Sequence, residues 1–186
     1  MGEKLFLKGE KCFLPSCPVT KRPYAPGQSG GKGRMRKTSD YAKQLLEKQK
    51  ARAIYGLSEK QMSNYFEIAR KKRHSTGNEL IRLIEMRADN MVYRGGLSAS
   101  RSEARQMVTH GNVFVNDKKI HSPSLQLKVG DTVRANLPAA KEPRKDISPW
   151  LKPTKAGNEF EIAMDPDIEN ITSSINIQLI IEFYSR

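Results

Sequence analysis

The residues with the most chemical potential in this sequence are cations set where phosphate could reach them. Lys32, Arg34, Arg36 and Lys37 stand among Gly27, Gly30, Gly31 and Gly33, a loop whose glycines let backbone and side chains approach a polyanion closely. Arg70-Lys71-Lys72-Arg73 closes a helical pattern with more positive charge than capping a helix C-terminus requires. Arg101 and Arg105 lie one helical turn apart and project from one face. Lys118 and Lys119 form a pair at the tip of the hairpin that follows, and Lys43, Lys48 and Arg52 form a further strip. Arginine suits bidentate contacts to phosphate, so these positions could clamp a phosphate backbone. Tyr24 could stack on a base or pack against Pro26, and the sequence does not separate the two. The candidate nucleic-acid contacts are therefore Tyr24, Arg34, Arg36, Lys37, Lys43, Lys48, Arg52, Arg70, Lys71, Arg73, Arg101, Arg105, Lys118 and Lys119.

Other chemistry is missing or incomplete. The stretch Gly27 to Gly33 fails the phosphate-loop pattern at Pro26 and at Gly33. His74, His110 and His121 have no metal-ligand spacing to one another, and His110 precedes a glycine that suits a helix C-cap. No Ser/His/Asp order or paired-carboxylate motif stands out. Cys12 and Cys17, flanked by Pro15 and Pro18, supply half of a tetrahedral zinc set, and the chain contains no second cysteine pair. No zinc or other cofactor is expected, with Cys12 and Cys17 as the only candidate ligands, and no enzyme activity is expected.

The charge balance agrees with a polyanionic partner. The 186 residues carry 33 Lys and Arg against 20 Asp and Glu, a net charge of +13. Residues 1–75 hold 18 cations and 6 anions, whereas residues 146–186 hold 3 and 7. A generally solvating surface would spread its charge more evenly. No run approaches the roughly 18 apolar residues of a membrane span, and Leu5-Phe6-Leu7 is too short for a signal-peptide core. The expectation is a soluble, intracellular basic protein.

These residues need elements to hold them. Residues 1–38, interrupted by Pro15, Pro18, Pro23 and Pro26, read as an extended basic arm that would order only against a partner. Ser39 and Asp40 cap a helix through Arg52 that Gly56 ends. Ser58 with Gln61, Thr76 with Glu79 and Ser100 with Glu103 each have the spacing of a capping box. Met62, Tyr65, Phe66 and Ala69 have the spacing of one buried helical face. Val113-Phe114-Val115 is a strand, Asn116 to Lys119 a turn, and Ile120 the start of the return. Leu125, Leu127 and Val129 alternate with polar residues, and Gly130-Asp131 turns into a strand over 132–135. Residues 138–158 are proline-rich, anchored by Trp150, and Phe160, Ile162 and Met164 alternate as in a strand. Alternation and β-branching over Ile175 to Tyr184 predict a strand there as well.

Arg87-x-Asp89, Ser100-Arg101-x-x-Ala104-Arg105, Gly111-x-Val113-x-Val115-Asn116 and Val129-Gly130-Asp131-x-Val133 together resemble the small RNA-binding module of the fourth protein of the small ribosomal subunit. That module also occurs in pseudouridine synthases, tyrosyl-tRNA synthetases and a heat-shock ribosome-binding protein. The flanks resemble the ribosomal family itself, bacterial or organellar: Ala25-Pro26-Gly27-Gln28, Ser39-Asp40-Tyr41, Glu47-Lys48-Gln49-Lys50, Ile54-Tyr55-Gly56, Asp89-Asn90-x-Val92-Tyr93-Arg94 and the tail Phe183-Tyr184-Ser185-Arg186.

The resemblance implies an α+β fold: a helical domain with the module inserted as helices packed on a short, mostly antiparallel sheet, plus the basic arm. The corresponding division is 1–38 arm, 39–86 with 171–186 helical domain, 87–150 module, and 151–170 an irregular connection with a short strand. It makes the tail a helix, against its local propensity. It implies a structural constituent of the small ribosomal subunit that binds a folded junction of small-subunit ribosomal RNA early and nucleates assembly. Neighbouring proteins including the fifth, messenger RNA near its entry path, and an influence on translational accuracy follow from the same resemblance. So does a place in the ribosome, in the cytoplasm or an organelle. The family usually begins earlier, in zinc-type members with a first cysteine pair, and Cys12 and Cys17 match the second pair alone. The alternatives are a non-ribosomal RNA-binding protein or an RNA-modifying enzyme that uses the same module. Arg87-Ala88-Asp89 superficially resembles the catalytic Arg-Leu-Asp of pseudouridine synthases, but a structural Asp is the preferred reading and the chain leaves no room for a separate catalytic domain.

Overall fold

A computed structural model of the chain describes residues 3–24, 39–72, 75–137, 147–154, 157–166 and 175–186. After a 3-10 turn at Gly9–Cys12 come α1 (Pro18–Lys21), α2 (Asp40–Tyr55), α3 (Glu59–Lys71), α4 (Thr76–Glu85), α5 (Ala88–Arg94) and α6 (Arg101–Thr109). The strands β1 (Val113–Val115), β2 (Lys118–Ile120), β3 (Thr132–Ala135), β4 (Leu151–Pro153) and β5 (Glu159–Ile162) follow, then α7 (Ile177–Tyr184).

Local chemistry explains most helix ends. The Ser39 hydroxyl accepts from the Ala42 amide at the start of α2, and Gly56 closes that helix in the left-handed region with φ +62°. A Cβ at Gly56 would meet nothing within 4 Å, so its requirement is purely one of backbone conformation. Gly56→Ala should therefore cost about 1 kcal/mol, read as a lower urea midpoint at unchanged slope. Ser58 and Gln61 form the full reciprocal capping box of α3. Two expected boxes are corrected. Ser75, not Thr76, is the N-cap of α4 and makes no side-chain cap bond, while Glu79 pairs with Lys72 and Arg82. At α6 Ser100 accepts from the Glu103 amide, but Glu103 reaches back one residue further, to the Ala99 amide.

Two apolar cores meet along α4. One packs Leu80 and Ile84 with Tyr55, Met62, Phe66, Ala69 and Ile180. The other packs Ile81 with Met91, Val92, Leu97, Val108 and the inner face of the sheet, including Val113, Val133, Phe160 and Ile162. Each fully buried side chain of this size contributes about 1.5–3 kcal/mol, so α4 is a hydrophobic joint between the two halves.

The sheet order is β2-β1-β3-β5-β4, antiparallel throughout. Segment 151–170, expected as an irregular connection with one short strand, supplies two strands that extend this sheet. The hairpin turn is only Asn116-Asp117, both at positive φ, so Lys118 and Lys119 belong to β2 rather than to the turn. The alternation at 125–129 gives no strand in the sheet. Gln126 bridges Arg87, with Leu127 and Ala88 amides donating across to Met86 and Leu125 carbonyls, and only Leu127 of the three apolar residues is buried. Met164 lies beyond β5 and is exposed.

The strand expected over 175–184 is corrected to a helix, as the family resemblance implied. Asn176 caps it by accepting from the Leu179 amide. The same residues that alternate also have helical spacing, Ile177, Ile180, Ile181 and Tyr184, and that face finds partners: a Cβ on Gly77 of α4 would stand 2.9 Å from Ile177, and Tyr184 stacks on Phe66 at 5.0 Å. Tertiary packing decided between two readable periods.

The arm is corrected for residues 3–24, which fold against the rest. Gly9, at φ +55°, approaches so closely that a Cβ would stand 2.6 Å from the Ala99 carbonyl oxygen. Glu3 pairs with Lys50 of α2 at 2.6 Å. Residues 25–38 lie outside the described residues.

Candidate nucleic-acid interface

The junction between α2, α3 and the α5–α6 pair is built from charges that burial has forced into pairs. Glu85, at the end of α4, is wholly buried. It accepts from the Tyr55 hydroxyl at 2.6 Å, from the Asn90 amide at 2.6 Å, and from Arg94 through two bonds at 3.0 and 2.7 Å. Arg87, also wholly buried, grips Asp89 bidentately at 3.0 and 2.6 Å and donates to the Tyr65 hydroxyl at 2.8 Å. Burial drives the Tyr55 hydroxyl well above its ordinary pKa, reinforced by the Glu85 charge, so it stays a proton donor. Asp89 is thus a structural acid, with both oxygens engaged, and is not free for base chemistry.

On this floor stands Arg101. Its guanidinium carbon lies 4.8 Å from the Tyr55 ring centre and 4.5 Å from that of Tyr93, and its Nε donates to the Asn90 side chain at 2.8 Å. Two aromatic faces and one hydrogen bond fix the plane. The terminal nitrogens have no hydrogen bond to another described residue. Among the described residues Arg105, one turn along α6, makes only long hydrogen bonds, to the Gly56 carbonyl at 3.3 Å and to Asp89 at 3.4 Å. Positively charged forks held in place before a ligand arrives are what phosphate recognition needs.

The structure sorts the other expected contacts. Lys118 and Lys119 are exposed on β2, and Lys119 packs with His121 over Gly111 at the far end of α6. Arg70 and Lys71 are exposed at the end of α3. Lys43 is exposed but paired with Asp40 at 2.9 Å. Tyr24 is half exposed. The strip of Lys43, Lys48 and Arg52 is a correction: Lys48 is buried, bonded to Glu59 at 2.9 Å with its ammonium 4.1 Å from the Phe183 ring centre, and Arg52 bonds the same carboxylate at 2.7 Å. The α2–α3 turn and the α7 tail use these cations internally. Arg34, Arg36, Lys37 and Arg73 lie outside the described residues. Sequence reasoning missed Tyr55, Tyr93 and Asn90, which orient Arg101, and Arg134, which lies 4.7 Å over the Phe114 ring on the open sheet face. The Phe114–Arg134 pair is readable only once the register of β1 and β3 is known.

Cys12 and Cys17 are both buried free thiols. The nearby Thr20 backbone amide holds the Cys17 thiol below its ordinary pKa. Among the described residues no group of three or more His, Cys, Asp or Glu is placed to hold a metal ion. Zinc, raised by the family resemblance, does not fit the donor set of the described residues, where Cys12 and Cys17 supply two of four ligands. Among the described residues no helix is long and apolar enough to cross a membrane.

Residues 1–85 match the family model described as the ribosomal protein S4/S9 N-terminal domain, and residues 86–133 match the S4 domain. The chain is 45% identical over its whole length to small ribosomal subunit protein uS4 of Thermus thermophilus, covering 93% of that protein. It is 44% identical to the uS4 protein of Dictyoglomus thermophilum and 45% identical to that of Ruminiclostridium cellulolyticum, again over the whole chain and 93% of each relative.

Proposed function

The chain belongs to the S4 family of small-subunit ribosomal proteins, and we infer that it is a structural constituent of the small ribosomal subunit that binds small-subunit ribosomal RNA. The family is structural rather than enzymatic. The observation that carries the RNA reading is Arg101, clamped between Tyr55 and Tyr93 beside Arg105, with no hydrogen bond from its terminal nitrogens among the described residues. Paired RNA hides its base edges, so a rigid array of cations that reads backbone shape suits a folded junction. Arg70, Lys71, Lys118 and Lys119, with Arg34, Arg36, Lys37 and Arg73, extend the contact set in this reading. The protein binds early, holds the junction for later assembly, neighbours other small-subunit proteins including the fifth, lies near messenger RNA at its entry path, and so bears on accuracy. Its place is then the ribosome, in the cytoplasm or an organelle.

Binding to a small-subunit ribosomal RNA junction fragment, with unrelated folded RNA as competitor across a salt series, tests this. Tight binding that resists competitor and weakens with salt is expected. Arg101→Ala should weaken it about 10- to 100-fold, the worth of a charge-assisted contact of about 1.5–3 kcal/mol, measured at a temperature where circular dichroism shows the variant still folded. Equal affinity for both RNAs would reject specific recognition.

The enzymatic alternative meets Asp89 locked by Arg87 at 3.0 and 2.6 Å and nearly unexposed. Pseudouridine formation by the pure protein would revive it.

A further inference from the structure

Where residues 3–24 dock on the module they leave a cleft that neither the cation count nor the shape argument uses. Phe6 and Leu7 form one wall, Ile54 and Tyr55 another, and Arg101 and Arg105 stand at its mouth. Its enclosed interior is about 90 Å³, smaller than the roughly 300–1,000 Å³ of closed small-ligand clefts, so a ligand would lie partly in it and partly across the open mouth.

Three observations converge there. Phe6 has φ +51°, a left-handed conformation uncommon for a bulky residue, and such outliers concentrate at binding sites. Its ring, 47% exposed, lies in this position against Phe13 at a centroid distance of 5.1 Å. The part of that side chain left in water is apolar surface onto which a base can stack beside Phe13. The floor, Asp89 and Asn90, is already satisfied by Arg87, Arg105, Arg101 and Glu85, so it offers a cation no free carboxylate. The net charge at the mouth is therefore positive.

A site that took only a phosphate of paired RNA would need the arginines and not the aromatic wall. We propose that this cleft receives one unpaired nucleotide of RNA, its base against Phe6 and Ile54 and its phosphate on the Arg101 and Arg105 forks. Stacking of splayed bases on aromatic side chains is the usual means by which proteins read unpaired RNA. The proposal rests on the RNA-binding reading above and adds to it a single-nucleotide pocket. A free mononucleotide has the same chemistry, and the test separates the two.

The full chain is bound to the small-subunit ribosomal RNA junction fragment, and base reactivity is mapped by chemical probing with wild type, Phe6→Leu, Phe6→Trp and Arg101→Ala. Adenosine and uridine monophosphates are titrated separately. The expected result is one unpaired base protected by wild type and by Phe6→Trp and exposed again in Phe6→Leu. Affinity should fall about 5- to 100-fold for Phe6→Leu, the range for loss of one stacked base. Leucine keeps apolar packing at position 6, and an unchanged melting curve shows that residues 3–24 remain docked. If Phe6→Leu shifts the melting curve, the comparison passes to Phe6→Trp, whose loss of protection would overturn the pocket. Protection and affinity unchanged in Phe6→Leu would likewise overturn it while leaving ribosomal RNA binding intact. Failure of wild type to prefer the fragment would instead remove the reading on which it rests. Tight mononucleotide binding that depends on Phe6, with no base of the fragment protected, would assign the cleft to a free nucleotide and reject the proposal.

Discussion

Glu85→Ala is expected to destabilise the protein by about 3–5 kcal/mol, the cost of breaking a buried charge network from one side. A domain of this kind has roughly 5–15 kcal/mol in all, so the variant should sit near its unfolding threshold. The size follows from what is stranded. Removal of the carboxylate leaves the Tyr55 hydroxyl, the Asn90 amide and the Arg94 guanidinium without the acceptor they share. Arg94 also lies over Trp150 at 5.6 Å, so its displacement would disturb the second core. Glu85→Gln keeps the shape and some of the hydrogen bonding, and its cost should be smaller. Urea unfolding of both variants checks the order, and a cost below about 1 kcal/mol for alanine would show that the network does not join the halves.

The same residue predicts acid behaviour. Burial alone would raise the Glu85 pKa, but the two Arg94 bonds, the charges of Arg94 and Arg101 and the Tyr55 hydroxyl outweigh it and hold the carboxyl below its ordinary value. A carboxyl with a depressed folded pKa binds its proton more readily in the unfolded chain. Its stabilisation is complete above the unfolded pKa of about 4.3 and is lost as pH falls through the lower folded value. Wild type should lose stability steeply below about pH 4, and Glu85→Gln should show a shallower acid limb.

The network also marks the boundary of what the residues disclosed in advance. Ser39, Ser58, Gln61 and Gly56 act locally, so spacing alone located the ends of α2 and the start of α3. Arg101 and Arg105 were legible for the same reason, since one helical turn is a local relation. Tyr55, Tyr93 and Asn90, which give Arg101 its direction, come from different elements. Charge counting treats every Lys and Arg as a surface group, and it therefore misplaced Lys48, which solvates Glu59 from inside. The tail was ambiguous in its own terms, because Ile177, Ile180, Ile181 and Tyr184 satisfy a helical period while their neighbours satisfy a strand period. Only the partners on α2, α3 and α4 decide it, and those are set by chain topology rather than by the tail.

Phe160→Ala should be comparably severe, about 3–5 kcal/mol by the loss of a buried aromatic ring and the hole it leaves. The ring is 1% exposed and belongs to β5, which lies beyond the stretch matched by the S4 domain model. It is nonetheless part of the module's core, packed with Val92, Val133 and Ile162. Its edge lies directly against Gly95, at the C-terminal end of α5, where a Cβ would collide with the ring. Gly95→Ala alone should then cost about 1–3 kcal/mol by overpacking. The two changes should not add. With Phe160 reduced to alanine, the methyl at position 95 enters the vacated space, so Gly95→Ala should cost little, or recover part of the loss, in that background. A double-mutant cycle by urea unfolding measures this, and a coupling of about 1 kcal/mol or more in the compensating sense is expected between residues in direct contact. Simple additivity would mean that the backbone around Gly95 yields to the extra methyl, and that β5 lies on the module without fixing the end of α5. Compensation would mean that the strand from beyond the matched region holds in place the helix carrying Asp89, Asn90 and Tyr93, and through them the orientation of Arg101.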